Sequence, residues 1–336
     1  MRVLFDCPCP FMLVHGGAQI QIEQTMAALG KVGVFVEPLR WWDQAQSGDV
    51  LHYFSRIPTH LMRSAQAKGM KVVMSAFISG LGARPAWQRF LQRLTLRAIR
   101  PVAPRPLRDL FDWDIYRSLD AIIAMTPYEA SLLTEIHNAP PSRVRVIPNG
   151  VEEVFLRSRA VPRGSWLVCT ATIIELKQVL KLAQMAVRAE TPLWVIGKPY
   201  SDTDDYTRCF LEYVRQNSRI VRYEGPIADR QQLAGIYREA RGFVLLSKWE
   251  SLSLSALEAA ACQCPLLLSD LPWARESFKA GASFCRPNGS VGESAAILRR
   301  FYDAAPTLEP PSPPMSWLDV AGQVKSLYES LLDRRA

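Results

Sequence analysis

Glu250 and Glu258, eight residues apart, are the two carboxylates of this sequence whose setting suggests chemistry. They lie in FVLLSKWESLSLSALEAAACQCPLLLSD, Phe243 to Asp270. Glu250 falls in a loop after an apolar strand, and Glu258 falls inside the helix that follows. Between them Leu252, Ser253 and Leu254 sit near that helix's N-terminus, where free N–H groups and the helix dipole favour an anion such as a diphosphate. Two carboxylates flanking an anion site serve phosphate poorly, but they suit sugar hydroxyls that donate to them on either side of it. The same pair also reads as an acidic residue at a helix start and a solvated helix glutamate, and residue types alone leave both readings open.

Loops of this kind must be held by strands and helices, and the chain alternates the two. Strands are predicted at Arg2–Phe5, Val32–Val36, Val50–Phe54, Lys71–Ser75, Asp120–Met125 and Arg143–Ile147. A helix over Ala18–Leu29 sets Ile22, Met26 and Leu29 on one face, and Pro148-Asn149-Gly150 is a strong turn signal. The pattern then restarts, with strands at Trp166–Ala171, Leu193–Ile196, Ile220–Tyr223, Phe243–Leu246 and Pro265–Ser269. Helices are expected between them at Val179–Ala189, Tyr206–Gln216, Leu233–Ala240 and Ser255–Cys262. The expected class is α/β, two doubly wound Rossmann-like domains with sites beyond the C-terminal strand ends. The domains are read as 1–150, 151–310 and, after the proline-rich stretch 305–314, a closing helix in 311–336 that packs across both.

The stretch around the two glutamates resembles the E-x7-E signature of retaining glycosyltransferases of family 4, which have the GT-B fold, two such domains facing a cleft. Ser247, Glu250, Leu254, Glu258, Ala259, Ala261, Cys262 and Pro265 match it. Further matches follow in order: His15-Gly16-Gly17-Ala18, Asp120 to Val151 with its VIPNGV, Val195-Ile196-Gly197, and YEGPIADRQQLAGIY from Tyr223 to Tyr237 with Gly225. The resemblance implies an N-terminal acceptor-side domain and a C-terminal donor domain. It implies transfer of a sugar from a nucleotide-diphosphate-sugar to a hydroxyl acceptor, a glycan or lipid-linked glycan, with retention at the anomeric carbon. Glu258 would hold the ribose and Glu250 the transferred sugar. Donor contacts would come from Gly16, Gly17, Gly197, Gly225 and the N–H groups of Leu252, Ser253 and Leu254. Lys177, in TATIIELKQ, aligns with the family lysine that would neutralise the departing diphosphate. No metal and no cofactor beyond the nucleotide-sugar co-substrate are expected.

The sequence departs from the family pattern at three places. Thr172 stands where an arginine precedes the lysine, and Lys198 is a candidate substitute. Glu-Ser-Leu-Ser-Leu replaces a glycine-bearing loop, and Phe77 stands in a run where many members carry a histidine near the transferred sugar. His15 reads equally as a donor neighbour or an ordinary loop residue. The C-x-C pairs Cys7/Cys9 and Cys262/Cys264 lack zinc spacing, and Asp202 to Asp205 reads as a solvated acidic loop.

The chain carries 40 Lys+Arg against 32 Asp+Glu, a net charge of +8, with 49% hydrophobic residues. This composition fits a folded protein, and no apolar run is long enough to span a bilayer. Seven cysteines and the absence of an apolar leader favour a cytoplasmic setting. From Val50 to Arg108 there are 11 basic residues and no acidic one. Within it Pro85 to Arg100 reads as an amphipathic helix with Trp87, Phe90, Leu91, Leu94 and Ala98 on one side. Arg89, Arg93, Arg97 and Arg100 form an adjacent stripe. Such a helix can lie on an anionic membrane, on the inner face, or turn its apolar side to the core. A polyanionic acceptor is a third reading, and no nucleic-acid partner is expected. The rival functions are a degenerate scaffold without transferase activity and a nucleotide-sugar hydrolase or epimerase.

Overall fold

Strands with unbroken apolar runs are suited to burial on both faces, and the chain gathers its runs into two parallel sheets. The computed structural model describes residues 1–11, 16–77, 84, 86–104, 114–157, 161–201 and 203–333. The chain divides into a first unit, Met1–Asn149 with Trp317–Ala336, and a second, Gly150–Ser316.

In the first unit β1 (Arg2–Asp6), β2 (Phe35–Pro38), β3 (Val50–Phe54), β4 (Lys71–Ser75), β5 (Ala121–Ala124) and β6 (Val144–Val146) form a sheet in the order β2-β1-β3-β4-β5-β6. Every adjacent pair is parallel. Helices α1 (Gly17–Lys31), α2 (Thr59–Ala67), α3 (Ala86–Val102), α4 (Ile115–Ser118) and α5 (Pro127–Glu135) connect them. β3 and β5 are buried at every residue.

The second unit opens with α6 (Glu153–Leu156). Its sheet runs β12-β11-β10-β7-β8-β9, again all parallel. The strands are β7 (Leu167–Thr170), β8 (Leu193–Ile196), β9 (Val221–Tyr223), β10 (Gly242–Leu245), β11 (Leu266–Ser269) and β12 (Ala282–Cys285). Between them lie α7 (Val179–Arg188), α8 (Asp205–Gln216), α9 (Arg230–Glu239), α10 (Leu254–Ala261) and α11 (Pro272–Phe278), with α12 (Val291–Ala304) after β12. The chain builds β7, β8 and β9 outward and then restarts at β10 on the other side of β7. The order therefore reverses between β7 and β10, the place where open α/β sheets bind ligands.

Differences from the sequence reading have local causes. β2 starts at Phe35 because α1 runs on to Lys31 and Gly33 turns the chain at φ +81. α9 starts at Arg230 because the Asp229 side chain accepts the N–H of Gln231. In the proline-rich stretch Pro311 packs on Gly281, where a Cβ would meet its backbone at 2.5 Å. The closing helix, α13 (Trp317–Leu332), belongs to the first unit and lies on α1. There Tyr328 hydrogen-bonds His52 Nδ1 at 2.5 Å, and His52 Nε2 meets Ser75 Oγ at 2.8 Å. No helix among the described residues is long and apolar enough to cross a membrane.

Candidate functional site

The loops leaving β7 and β10 meet at the reversal of the second sheet. After β7 the chain makes a short 3-10 turn, Glu175–Lys177, and enters α7 through Gln178, held at φ +51. Gln178 donates to the Leu246 carbonyl at 2.7 Å, and Lys248 N–H donates to the Leu176 carbonyl at 2.8 Å. These bonds bring Lys177 to Glu250. The ammonium and carboxylate are ion-paired, with side chains 20% and 12% exposed, so the pair is largely buried but not sealed from solvent. Ser247 Oγ donates to the same Glu250 oxygen at 2.7 Å.

Beyond Glu250, Ser253 caps α10 by accepting the Ala256 N–H at 3.3 Å. The N–H groups of the turn ahead of Ala256 have no intrahelical acceptor, and they follow directly on Leu252 and Ser253. Leu252, Ser253 and Leu254 are thus at the helix start, as the spacing predicts. Glu258 lies one turn further on, in a helix whose residues from Ala256 to Ala261 are all buried. Its carboxylate is ion-paired with Arg230, and Tyr237 OH lies 3.5 Å from its second oxygen. Burial pushes its pKa up, and Arg230 pulls it back. Arg230 in turn donates to Glu152 at 2.7 Å and lies over the Phe155 ring at 4.7 Å. It escaped the sequence reading because its partners are remote in sequence and follow no helical or strand period.

Gly197 follows β8 at φ +149, and a Cβ there would stand 1.9 Å from the Ala171 carbonyl oxygen. Its N–H donates to Gly225, whose φ is +82, at 3.1 Å, and Tyr223 OH donates to its carbonyl at 3.1 Å. Gly197 and Gly225 thus join the loops after β8 and β9. Ile173 N–H donates to the Lys198 carbonyl at 3.1 Å, so the backbone of exposed Lys198 runs beside the residue after Thr172.

Gly16 and Gly17 belong to the first unit. Gly16 caps α1 at φ +138 with no side-chain cap, and Gly17 is the first helical residue. Phe77 lies 6.5 Å from the Phe54 ring. His15, Asp202 and residues 78–83 lie outside the described residues. Among the described residues no group of three or more His, Cys, Asp or Glu side chains could hold a metal ion.

On α3 the apolar side faces outward rather than into the core: Trp87 is 65%, Phe90 61% and Leu91 57% exposed. Two arginines of the stripe lie along α5. Arg89 lies over Tyr128 at 5.2 Å, and Arg93 pairs with Glu135 at 3.1 Å. Arg100 is half-buried, and burial lowers its pKa. Of the four, Arg97 is the exposed one.

Comparison with known proteins agrees with this architecture. The sequence matches Glycosyltransferase Family 4 over residues 25–154 and Glycosyl transferases group 1 over residues 168–304. A D-inositol 3-phosphate glycosyltransferase of Arthrobacter sp. (strain FB24) is 30% identical over 200 residues, 54% of this chain and 47% of that protein. The chain spans about half the length of the curated relatives it matches. Among solved structures, sucrose-phosphate synthase from Thermosynechococcus elongatus superposes with TM-score 0.70 at 16% identity, covering 99% of both chains. Anabaena Alr3699/HepE in complex with UDP gives 0.65 at 13% identity, covering 98% of this chain and 100% of that one. Two family matches that together span most of the chain, on two doubly wound sheets, make it a member of the group 1, family 4 glycosyltransferases with the GT-B fold.

Proposed function

We propose that the protein transfers a sugar from a nucleotide-diphosphate-sugar to a hydroxyl acceptor, with retention and without a metal ion. The observation that carries this reading is the Lys177–Glu250 pair beside the start of α10, at the reversal of the second sheet. The diphosphate would lie against the α10 N–H groups and Lys177, which exchanges its bond to Glu250 for one to phosphate. Glu250, still held by Ser247, is then free to accept hydrogen bonds from the transferred sugar. Glu258 accepts from the ribose.

As the bond between the anomeric carbon and the phosphate oxygen breaks, charge gathers on the diphosphate. Lys177 and the helix end stabilise it most at that stage. The acceptor hydroxyl attacks from the same face and gives its proton to the departing phosphate oxygen, so configuration is kept. Lys198, near Thr172, would supply the second cation of the clamp. The test is thermal stabilisation by UDP-, GDP-, dTDP- and ADP-sugars, followed by product analysis with and without EDTA. Retained configuration and EDTA-insensitive turnover are expected. Binding of none of these donors at millimolar concentration would overturn the reading.

On the acceptor side we propose a lipid-linked hydroxyl reached at an anionic bilayer surface. The outward Trp87, Phe90, Leu91 and Leu94, in a segment without acidic residues, support it. Co-sedimentation with vesicles containing phosphatidylglycerol, absent with phosphatidylcholine alone, is expected.

A further inference from the structure

Arg230 binds two carboxylates at once, and that arrangement is costly unless it serves something. A buried ion pair seldom stabilises a fold more than apolar residues of similar volume would, yet removing one partner leaves an unpaired buried charge. Here the pair interrupts a buried helical run that is otherwise apolar, Ala256 to Ala261. One oxygen of Glu258 is bound by Arg230, whereas the other has, among the described residues, the 3.5 Å approach of Tyr237 OH alone. Arg230 itself is fixed at two further points, by Glu152 at 2.7 Å and by the Phe155 ring. A guanidinium so held cannot follow an incoming ligand away from Glu258.

We propose that Arg230 is a positioning residue of the nucleotide subsite, which keeps Glu258 ionised and aims its second oxygen at the ribose hydroxyls. The inference rests on the reading of Glu258 as the ribose ligand. Its physical basis is that a carboxylate in this setting takes up a proton when its cation is removed, and a protonated acid accepts hydroxyl donors poorly. The charged and titratable groups around Glu258 are Arg230 and Tyr237 on α9, Glu152 before α6, and Cys262 at the end of α10. Arg230 is the only cation among these, with Arg238 and Arg163 facing Cys262 behind them.

The test is titration calorimetry, from pH 6 to pH 9, with whichever of UDP, GDP, ADP and CDP binds tightest and with its 2′-deoxy counterpart. The wild-type protein should prefer the ribonucleotide by about tenfold, the effect of one hydrogen bond to a charged group. Glu258→Gln should lose most of that preference. In Arg230→Met the preference should fall below about threefold at pH 7 and return at higher pH, its midpoint at least about one pH unit above wild type. Arg230→Lys should restore most of it.

An Arg230→Met protein that weakens both nucleotides equally, with ratio and pH profile unchanged, would overturn the inference while leaving Glu258 as the ribose ligand. A Glu258→Gln protein that keeps the preference would overturn the ribose reading itself. If Arg230→Met does not fold, Glu152→Gln, which loosens Arg230 but leaves it beside Glu258, should show a partial loss of preference. No loss there would overturn the inference as well.

Discussion

Lys177 and Glu250 stand 73 residues apart in sequence and are joined as an ion pair, each carried by the loop after one of the two strands that flank the reversal of the second sheet. The pair neutralises itself when no donor is bound. In the proposed reaction a diphosphate would compete for the lysine and release the glutamate, which would link binding of phosphate to readiness for the sugar.

Replacing Lys177 by Met should therefore lower turnover by about 10²–10³-fold, the range for losing one preorganised electrostatic group. Glu250→Gln should lower turnover while leaving nucleoside-diphosphate affinity within about threefold of wild type, because its proposed partner is the sugar. The double variant should lose less than the two single losses added, since both act through one contact. Steady-state kinetics and calorimetry on the three variants measure this, and full additivity would separate the two residues.

Gly197 and Gly225 offer a matched pair of backbone tests. Both have positive φ, but a Cβ on Gly197 runs into the Ala171 carbonyl whereas one on Gly225 meets nothing within 4 Å. Gly197→Ala should cost about 2–4 kcal/mol of stability and weaken donor binding, because the loops after β7 and β8 must part. Gly225→Ala should cost about 1 kcal/mol. Urea unfolding of the two proteins ranks them, and equal losses would mean the Ala171 contact relaxes freely.

Two histidines, His52 and His137, should make the first unit sensitive to acid. Burial lowers the pKa of His52 from 6.5 to about 3, and that of His137 to about 4. Both stay neutral when folded and protonate once unfolded. Their contribution is whole above pH 6.5 and drains away as pH falls toward the folded values, by up to about 1.4 kcal/mol per pH unit for each. A His52→Leu protein should be less stable at pH 7. Its further loss between pH 7 and pH 4.5 should be smaller than wild type by roughly 2 kcal/mol, measured by urea unfolding at both pH values.

The outward face of α3 can be changed without touching the core. Trp87→Ser, Phe90→Ser and Leu94→Ser together should abolish vesicle binding and leave donor affinity unchanged, since all three side chains are exposed. Arg93→Glu alone should alter stability by less than about 1 kcal/mol, because the Arg93–Glu135 pair is solvent-exposed. Unchanged vesicle binding in the triple variant would remove the bilayer from the acceptor reading.

Much of this was legible from residue order. Val50–Phe54, Lys71–Ser75 and Leu193–Ile196 are strands at the bounds their apolar runs predict. Ser253 and Glu258 fall on a helix start and a helix interior as their spacing requires. β12 and α12 went unread because Ala282–Cys285 is short and only partly apolar, and a strand of that kind declares itself through its neighbour β11. The Arg230 cluster was illegible for a different reason, since its bonds to Glu258 and Glu152 span 28 and 78 residues. On α3, periodicity identifies an apolar side but carries no information about what covers it.

The return of α13 to the first unit has a consequence for how the protein is made. The second unit is an insertion, entered and left side by side, where Val151 N–H donates to Met315 and Val151 pairs with Ser316. During synthesis the first sheet leaves the ribosome early, but Tyr328, 276 residues after His52, arrives after the whole insert. The second unit is complete at Ser316, before α13 emerges, while the first waits with His52 and the α1 surface open. Chains cut short after Ser316 would carry a finished second unit and an unfinished first unit, the state in which quality-control proteases find exposed apolar surface.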